Sequence, residues 1–408
     1  MGIEKKMVRP SLKGCFLSPK RLIPKIVVEP IRELGGHEMN KERLVERFLR
    51  YVQVDSPTKE ERDFALLLME ELKELGLAVH MDDAGEKVGS NAGNVVATLQ
   101  GNAEGTPMLF SCHMDTVSPG RGIKPVIKEG TIYSDGTTIL GGDDKAGIAA
   151  VMEALTMIKE EKLAHGDLEV VFTIYEEGGL FGAKNLDFTQ FSSKMAIVLD
   201  SGGDPGDIIL KGPAQNKIDV TFLGREAHAG VAPEEGISAV VMAAEAIAKM
   251  KLLRIDEETT ANIGGILGGG PTNIVTKEVR FFAEARSLSD EKLKAQSDHM
   301  VLCCEEAAKK YGGQVKVLVE NAYGAFSIDE DHDVVTLVKK ALGTLGLPTR
   351  ITTSGGGSDT NILNAHGITA INLGIGERVP HTLEEHLHIK DLVDTTRLVL
   401  EIIQAAKN

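Results

Sequence analysis

The apolar positions of the chain fall into two registers, one of helix period and one of short buried runs. Behind Asn40, a natural helix cap, Leu44, Val45, Phe48, Leu49 and Val52 share one helical face. Thr58-Lys59-Glu60-Glu61 has capping-box spacing and predicts a helix carrying Leu66, Met69, Leu72 and Leu75, closed by Gly76. Apolar runs at 94–99 and 107–112 then predict strands, the second running into His113-Met114-Asp115-Thr116-Val117. Gly141-Gly142-Asp143-Asp144-Lys145-Ala146-Gly147 opens a helix through Ile148, Val151, Leu155 and Ile158. A strand at 168–174 ends at Glu176-Glu177-Gly178-Gly179, and one at 195–199 ends at Asp200-Ser201-Gly202-Gly203. Strands alternating with helices, each delivering polar residues at its C-terminal end, describe an α/β sheet with its site along that edge.

From about Lys211 the pattern changes. A strand at 217–223, a helix at 236–253 with Ile237, Val240, Val241, Ala244, Ile247 and Ala248 in register, strands at 261–267 and 273–286, a helix at 290–311 and a strand at 314–320 give β-α-β-β-α-β order. That order is ferredoxin-like. After it the α/β pattern returns, with a helix at 337–345, the glycine-rich Ser354-Gly355-Gly356-Gly357-Ser358-Asp359 loop, a strand at 369–373, His381 in a loop and a helix at 389–406. The expected organisation is an extension of unassigned role at 1–38, an α/β domain in two parts at 39–212 and 325–408, and the ferredoxin-like unit at 213–324 inserted between them.

Composition narrows the function classes. The 408 residues are too many for one ordinary core. With 60 acidic residues against 45 Lys and Arg, the formal charge is −15, which argues against nucleic acid or an anionic membrane as partner. No apolar run is long enough to span a membrane. Cys15, Cys112, Cys303 and Cys304 have neither zinc-ribbon nor disulfide-framework spacing, which fits a reducing cytoplasm.

The chemistry lies in the strand-end residues. Two adjacent carboxylates, Glu176 and Glu177, at the end of a buried strand are costly without a positive partner. His113 can bind a metal, and Asp115, two residues on, can orient its ring. Asp143, Glu177, Asp200 and His381 are further ligands of the right kind. Histidine and carboxylate without thiolate suit Zn²⁺, with Mn²⁺ and Co²⁺ as alternatives. Two histidines and three carboxylates exceed one tetrahedral ion and suit two ions with one bridging carboxylate, which leaves Glu176 as a proton shuttle. Plainer readings stand beside each of these. Asp143-Asp144 could cap a helix, Asp200 could belong to a turn, His228 could be a loop histidine, and His386 and His388 compete with His381.

Taken in order, the His113-Met114-Asp115-Thr116-Val117, Gly142-Asp143-Asp144-Lys145-Ala146-Gly147, Glu176-Glu177-Gly178-Gly179 and Leu199-Asp200-Ser201-Gly202-Gly203 motifs, with His381 and Glu385, carry a resemblance. From residue 39 onward the chain resembles the co-catalytic zinc exopeptidases, which include carboxypeptidase G, aminoacylase, succinyl-diaminopimelate desuccinylase and, above all, the peptidase-T-like proteins. The resemblance implies an α/β sandwich whose inserted βαββαβ unit serves as lid or dimerisation domain. It implies one zinc on His113, Asp143 and Asp200 and another on Asp143, Glu177 and His381. Asp143 rather than Asp144 would bridge, Asp115 would orient His113, and Glu176 would be the general base. His228, Asn273, Arg286 and Gly356 would contact a short peptide, His228 in many members from a partner subunit. The expected activity is removal of the N-terminal residue from a tripeptide. N-acyl-amino-acid deacylation and carboxypeptidase cleavage are alternatives, and so is a non-catalytic metal-dependent binding protein.

Overall fold

The protein is seen in a computed structural model, which describes residues 39–407. The extension at 1–38 and Cys15 lie outside the described residues. The fold is mixed α/β around a nine-stranded sheet. Its four central strands, Leu168–Thr173, Met108–His113, Met195–Ser201 and Thr369–Gly374, lie side by side and parallel. Antiparallel strands flank them, among them Val95–Leu99 on one side and Asp207–Gly212 on the other.

Parallel strands are buried on both faces, and their sequences show it: all six residues of Met108–His113 and of Leu168–Thr173 are buried. The helix Gly142–Glu161 packs on one face, and every residue from Asp144 to Ile158 is buried. Such a helix is apolar around most of its circumference because helices 41–52 and 389–405 cover its outer side. On the opposite face Val96, Leu109, Val171, Ala196 and Val198 pack with Leu186, Phe191, Leu363 and Ile368.

A second sheet has five strands, in the spatial order Leu253–Arg254, Thr259–Gly268, Glu278–Ser287, Ala214–Leu223 and Gln314–Tyr323, all antiparallel. Helices Ala239–Lys249 and Asp290–Tyr311 cover one of its faces through a core that includes Phe222, Phe281, Met242 and Met300. A small four-stranded sheet, formed by Val126–Lys128, Thr131–Tyr133, Glu377–Arg378 and His386–His388, frames the loop that carries His381.

Most of the expected elements are present, and the helix Asp290–Tyr311 matches its expected bounds. Three expectations need correction. The Thr58 capping box does not form, because the helix starts at Arg62 and the Glu61 carboxylate instead accepts from the Lys59 amide, the Tyr175 amide and the Ser90 hydroxyl. The helix buries Phe64, Ala65, Leu68 and Leu72, and leaves Leu66 46% exposed. The helix expected at 236–253 is Ala239–Lys249, capped by Ser238, and it buries Ala239, Met242, Ala243 and Ala246 rather than Val240 and Val241. Both face errors have one cause: these helices carry apolar residues on more than one side, so periodicity alone leaves the buried face open. The strand expected at 273–286 begins only at Glu278, after the irregular stretch that contains Asn273.

Candidate metal centre and cavity

Sheet register brings the strand-end residues together. His113 pairs with Thr173 on one side, so Glu176 and Glu177 follow just beyond it. On the other side Ser111 pairs with Val198, and the same register places Asp200 level with His113. Asp143 enters from the start of the buried helix, where it and Asp144 have non-helical backbone angles. His381 enters from the loop between Arg378 and His386, with φ +63°.

Asp143 is the hinge of the cluster. Its Oδ1 lies 2.8 Å from His113 Nε2, and its Oδ2 lies 3.1 Å from His381 Nε2. His113 Nε2 is also 3.4 Å from Asp200 Oδ1, and His381 Nε2 is 3.0 Å from Glu177 Oε1. Candidate ligand atoms lie within 4.8 Å of one another in two groups, His113 with Asp143 and Glu177, and His113 with Asp144 and Asp200. Asp144 is the less suited of the adjacent aspartates. It is fully buried, its Oδ2 accepts from the His113 amide at 3.1 Å, and its carboxyl is pushed well up by burial and then by Asp200. Asp143 alone among them has an oxygen toward each histidine.

The electrostatics fit a missing cation. Burial pushes the Asp200 carboxyl up to about 7, against the lowering pull of His113. Burial, then hydrogen bonding from His381 in the opposite sense, leaves Glu177 above its usual range. Burial raises Asp143 too, but hydrogen bonds from His113 and His381 outweigh it and hold it well below. His381 rises to about 10 through its bonds to Asp143 and Glu177. Glu177 Oε1 is buried with His381 Nε2 at 3.0 Å beside it, whereas the buried Asp144 Oδ1 has no hydrogen-bond partner. Buried carboxylates crowded around two imidazoles, one with an orphaned oxygen, are what a divalent cation would satisfy. The donor set, two nitrogens and several carboxylate oxygens, fits zinc or a similar ion.

Asp115 takes partners other than those expected. The strand ends at His113, so the two-residue repeat no longer aligns the side chains. The Asp115 backbone carbonyl, not its carboxylate, meets His113 Nδ1 at 2.9 Å, and the nearest carboxylate oxygen is 3.7 Å away. The carboxylate instead accepts from the Glu176 amide at 2.8 Å, the Glu177 amide at 3.3 Å and the Thr58 hydroxyl at 2.8 Å. It therefore ties the Glu176-Glu177 turn to the His113 strand. Glu385 does similar work on the other side. Buried, it accepts from the amides of Leu140, Gly141 and Gly142 and fixes the approach to Asp143.

These residues floor a cavity of about 580 Å³. Glu176 lines it, with its carboxyl raised well above the usual range by burial and then by Asp200. Arg286 and Gly356 line it as well. His228 and Asn273 do not. They lie side by side, the Ala229 amide donating to the Asn273 carbonyl, beyond the Leu223 end of the five-stranded sheet. Arg286 pairs with Gln215 at the other end of that sheet. From Gln215 to Leu223 the strand runs about 26 Å at roughly 3.3 Å per residue, so neither residue reaches this cavity.

Sequence reasoning missed several cavity residues. Glu377 is 2% exposed with Oε1 unpartnered, and Gln215, Lys217, Glu284 and Tyr323 line the wall formed by the five-stranded sheet. Only alternation along their strands could have flagged the latter group, and alternation does not say which solvated face meets a cavity.

The family model described as peptidase family M20/M25/M40 matches residues 109–405. The uncharacterized protein YqjE of Bacillus subtilis is 46% identical over 90% of this chain and 99% of its own. The crystal structure of aminopeptidase PepT from Bacillus cereus is 46% identical with a TM-score of 0.83, covering 90% of this chain and 99% of that one. A tripeptidase structure from Staphylococcus aureus is 42% identical with a TM-score of 0.86, covering 90% and 98% respectively.

Proposed function

The chain belongs to peptidase family M20/M25/M40, and from that premise we propose that it is a dinuclear metal-dependent aminopeptidase acting on tripeptides. The observation that carries this reading is Asp143, whose two oxygens face His113 and His381. One ion would be held by His113, Asp143 and Asp200 and a second by Asp143, Glu177 and His381, zinc first among the candidates and Co²⁺ or Mn²⁺ after it. Bound there, the ions would acidify water and polarise the scissile carbonyl.

The remaining work falls to the chain's own groups. Glu176, with its amide pinned by Asp115, takes the proton of the attacking water and returns it to the leaving amine. Its burial supports that role, because desolvation favours the protonated form and makes the carboxylate a stronger base than a solvated one. Asp115 positions it. Ser354, Gly356 and Gly357 complete the cavity wall, with Arg286 beside Gly356.

His228 and Asn273 enter this reading only through a second copy of the chain. We read the unit at 213–324 as the lid and dimerisation domain. Support comes from Ile266 and Leu267, 56% and 59% exposed on a strand whose outer edge is open beyond Ala261, and from Val240 and Val241 exposed on the neighbouring helix. The free thiols of Cys112, Cys303 and Cys304 suit a reducing cytoplasm. Among the described residues no helix is long and apolar enough to cross a membrane.

The test is hydrolysis of trialanine, N-acetyl-trialanine and trialanine amide by metal-loaded protein, with metal content measured alongside. Cleavage of trialanine but not of the N-acetyl form, at two metal equivalents per chain, is the expected result. Preference for the N-acetyl form would replace the aminopeptidase reading with a deacylase or carboxypeptidase. Full metal with no hydrolysis of any short peptide would leave a binding protein.

A further inference from the structure

We propose that Lys217 is the residue that receives the substrate's C-terminal carboxylate, and so makes the cavity selective for short peptides with a free C-terminus. The inference rests on the tripeptidase reading above. Lys217 lies in the strand Ala214–Leu223 and lines the same cavity as the metal-ligand cluster. Its cross-strand neighbours are both acidic, Glu284 on one side and Glu320 on the other. Oppositely charged residues directly across a sheet ordinarily pair. Among the described residues Lys217 pairs with neither. A Cβ built on Gly179 would meet its ammonium at 3.3 Å, and the Phe181 ring centre is 6.0 Å from it. Glu284 is held by Arg286 instead, and the ammonium turns from Glu320 toward the turn that carries Glu176.

The other cations of this wall are already engaged. Arg286 makes a two-point contact with Glu284, Nε to Oε1 at 2.9 Å and Nη2 to Oε2 at 3.1 Å. Gln215 also donates to Glu284. Lys184 donates to the Gly179 carbonyl at 2.8 Å. Lys217 is thus the cavity-lining cation whose ammonium is not committed to a carboxylate or a carbonyl, and Lys184 adds a second positive charge behind it. The cavity lining joins the carboxylates of Asp143, Glu177 and Asp200 with this ammonium. A zwitterionic peptide, amine toward the acids and carboxylate toward Lys217, matches that polarity. Gly179 leaves the room the ammonium occupies, and its φ of +135° is one that other residues rarely adopt.

The test is steady-state hydrolysis of trialanine and trialanine amide by Lys217→Met and Lys217→Arg, with metal content and thermal midpoint as controls. For Lys217→Met the expected result is a KM for trialanine raised ~10- to 100-fold with kcat changed less than about threefold, and little change on the amide. Lys217→Arg should recover most of that loss. Binding of trialanine to Glu176→Gln and to Glu176→Gln/Lys217→Met, by calorimetry, reads the same contact without turnover. Equal effects on acid and amide, or no effect on either, would overturn the assignment. Failure of the wild-type protein to cleave either peptide would instead count against the tripeptidase reading itself.

Discussion

The two sheets of this protein handle charge in opposite ways. At the carboxyl ends of the central parallel strands, His113, Asp143, Glu176, Glu177 and Asp200 are drawn into one partly buried cluster whose carboxylates mostly titrate above their usual range. On the five-stranded sheet and its helices, charges meet as exposed pairs such as Lys277 with Glu226 and Lys292 with Glu258. The first arrangement costs folding energy and persists because a cation would compensate it; the second costs little and contributes little. Buried, unsatisfied charge marks where this chain's chemistry lies.

The sharpest way to break that contrast is to separate proton transfer from ion binding. Glu176→Gln should lower turnover at least ~1000-fold and leave metal content near wild type, because no other group of the cluster depends on its charge. Asp143→Asn should remove both, since the amide is uncharged and keeps only one oxygen where Asp143 faces the two histidines with two. Turnover and metal analysis on the same preparations decide the matter. Retained activity in Glu176→Gln would remove it as the base, and full metal content in Asp143→Asn would remove Asp143 as the bridge.

A second prediction asks whether every buried carboxylate of the α/β part waits for an ion. Glu153 does not. Its side chain is fully buried in the helix 142–161, and it is met by Arg43 at 2.6 Å and by Arg47 at 3.7 Å. Here the chain supplies its own cations. Glu153→Ala should therefore destabilise the protein by ~3–5 kcal/mol, because Arg47 is left buried and uncompensated. The loss should be the same with and without metal in denaturant unfolding. A loss that vanishes on chelation would tie Glu153 to the metal site after all.

The contrast also explains how much was legible in the sequence. The α/β sheet, its strand ends and the βαββαβ order could be read because buried strands announce themselves as short apolar runs. The residues proposed as metal ligands could be read because a polar residue directly after such a run requires a reason. Position on the five-stranded sheet could not. His228 and Arg286 look alike as candidates in the sequence, yet strand register puts them at opposite ends of one sheet. Lys217 gave no signal, since an exposed lysine between solvated residues is ordinary until it is seen to pair with neither acidic neighbour, Glu284 being held by Arg286. The Asp115 carboxylate was misdirected for a local reason. The strand stops at His113, two residues before Asp115, so the two-residue repeat does not hold.

The smallest expected effect lies in the inserted unit. Glu245, on the helix 239–249, accepts from Lys310 at 2.7 Å and from the Tyr311 hydroxyl at 2.8 Å, and it also pairs with Lys249 at 3.2 Å. The Lys310 bond first, then Tyr311 and Lys249, hold its carboxyl down to about 2. A carboxylate whose folded pKa is depressed stabilises the protein above its unfolded value, and that contribution is lost as pH falls through the folded value. Glu245→Gln should therefore be slightly less stable than wild type at pH 7, with the difference shrinking between about pH 4.5 and 2 and shrinking at any pH in high salt. Thermal midpoints of the two proteins across that window, at low and high salt, measure it. A difference that persists at pH 2 would mean that Glu245 acts through packing of its side chain between the two helices. The helices of the five-stranded sheet would then rely on buried contacts at this point, as the nine-stranded sheet does, rather than on surface charge.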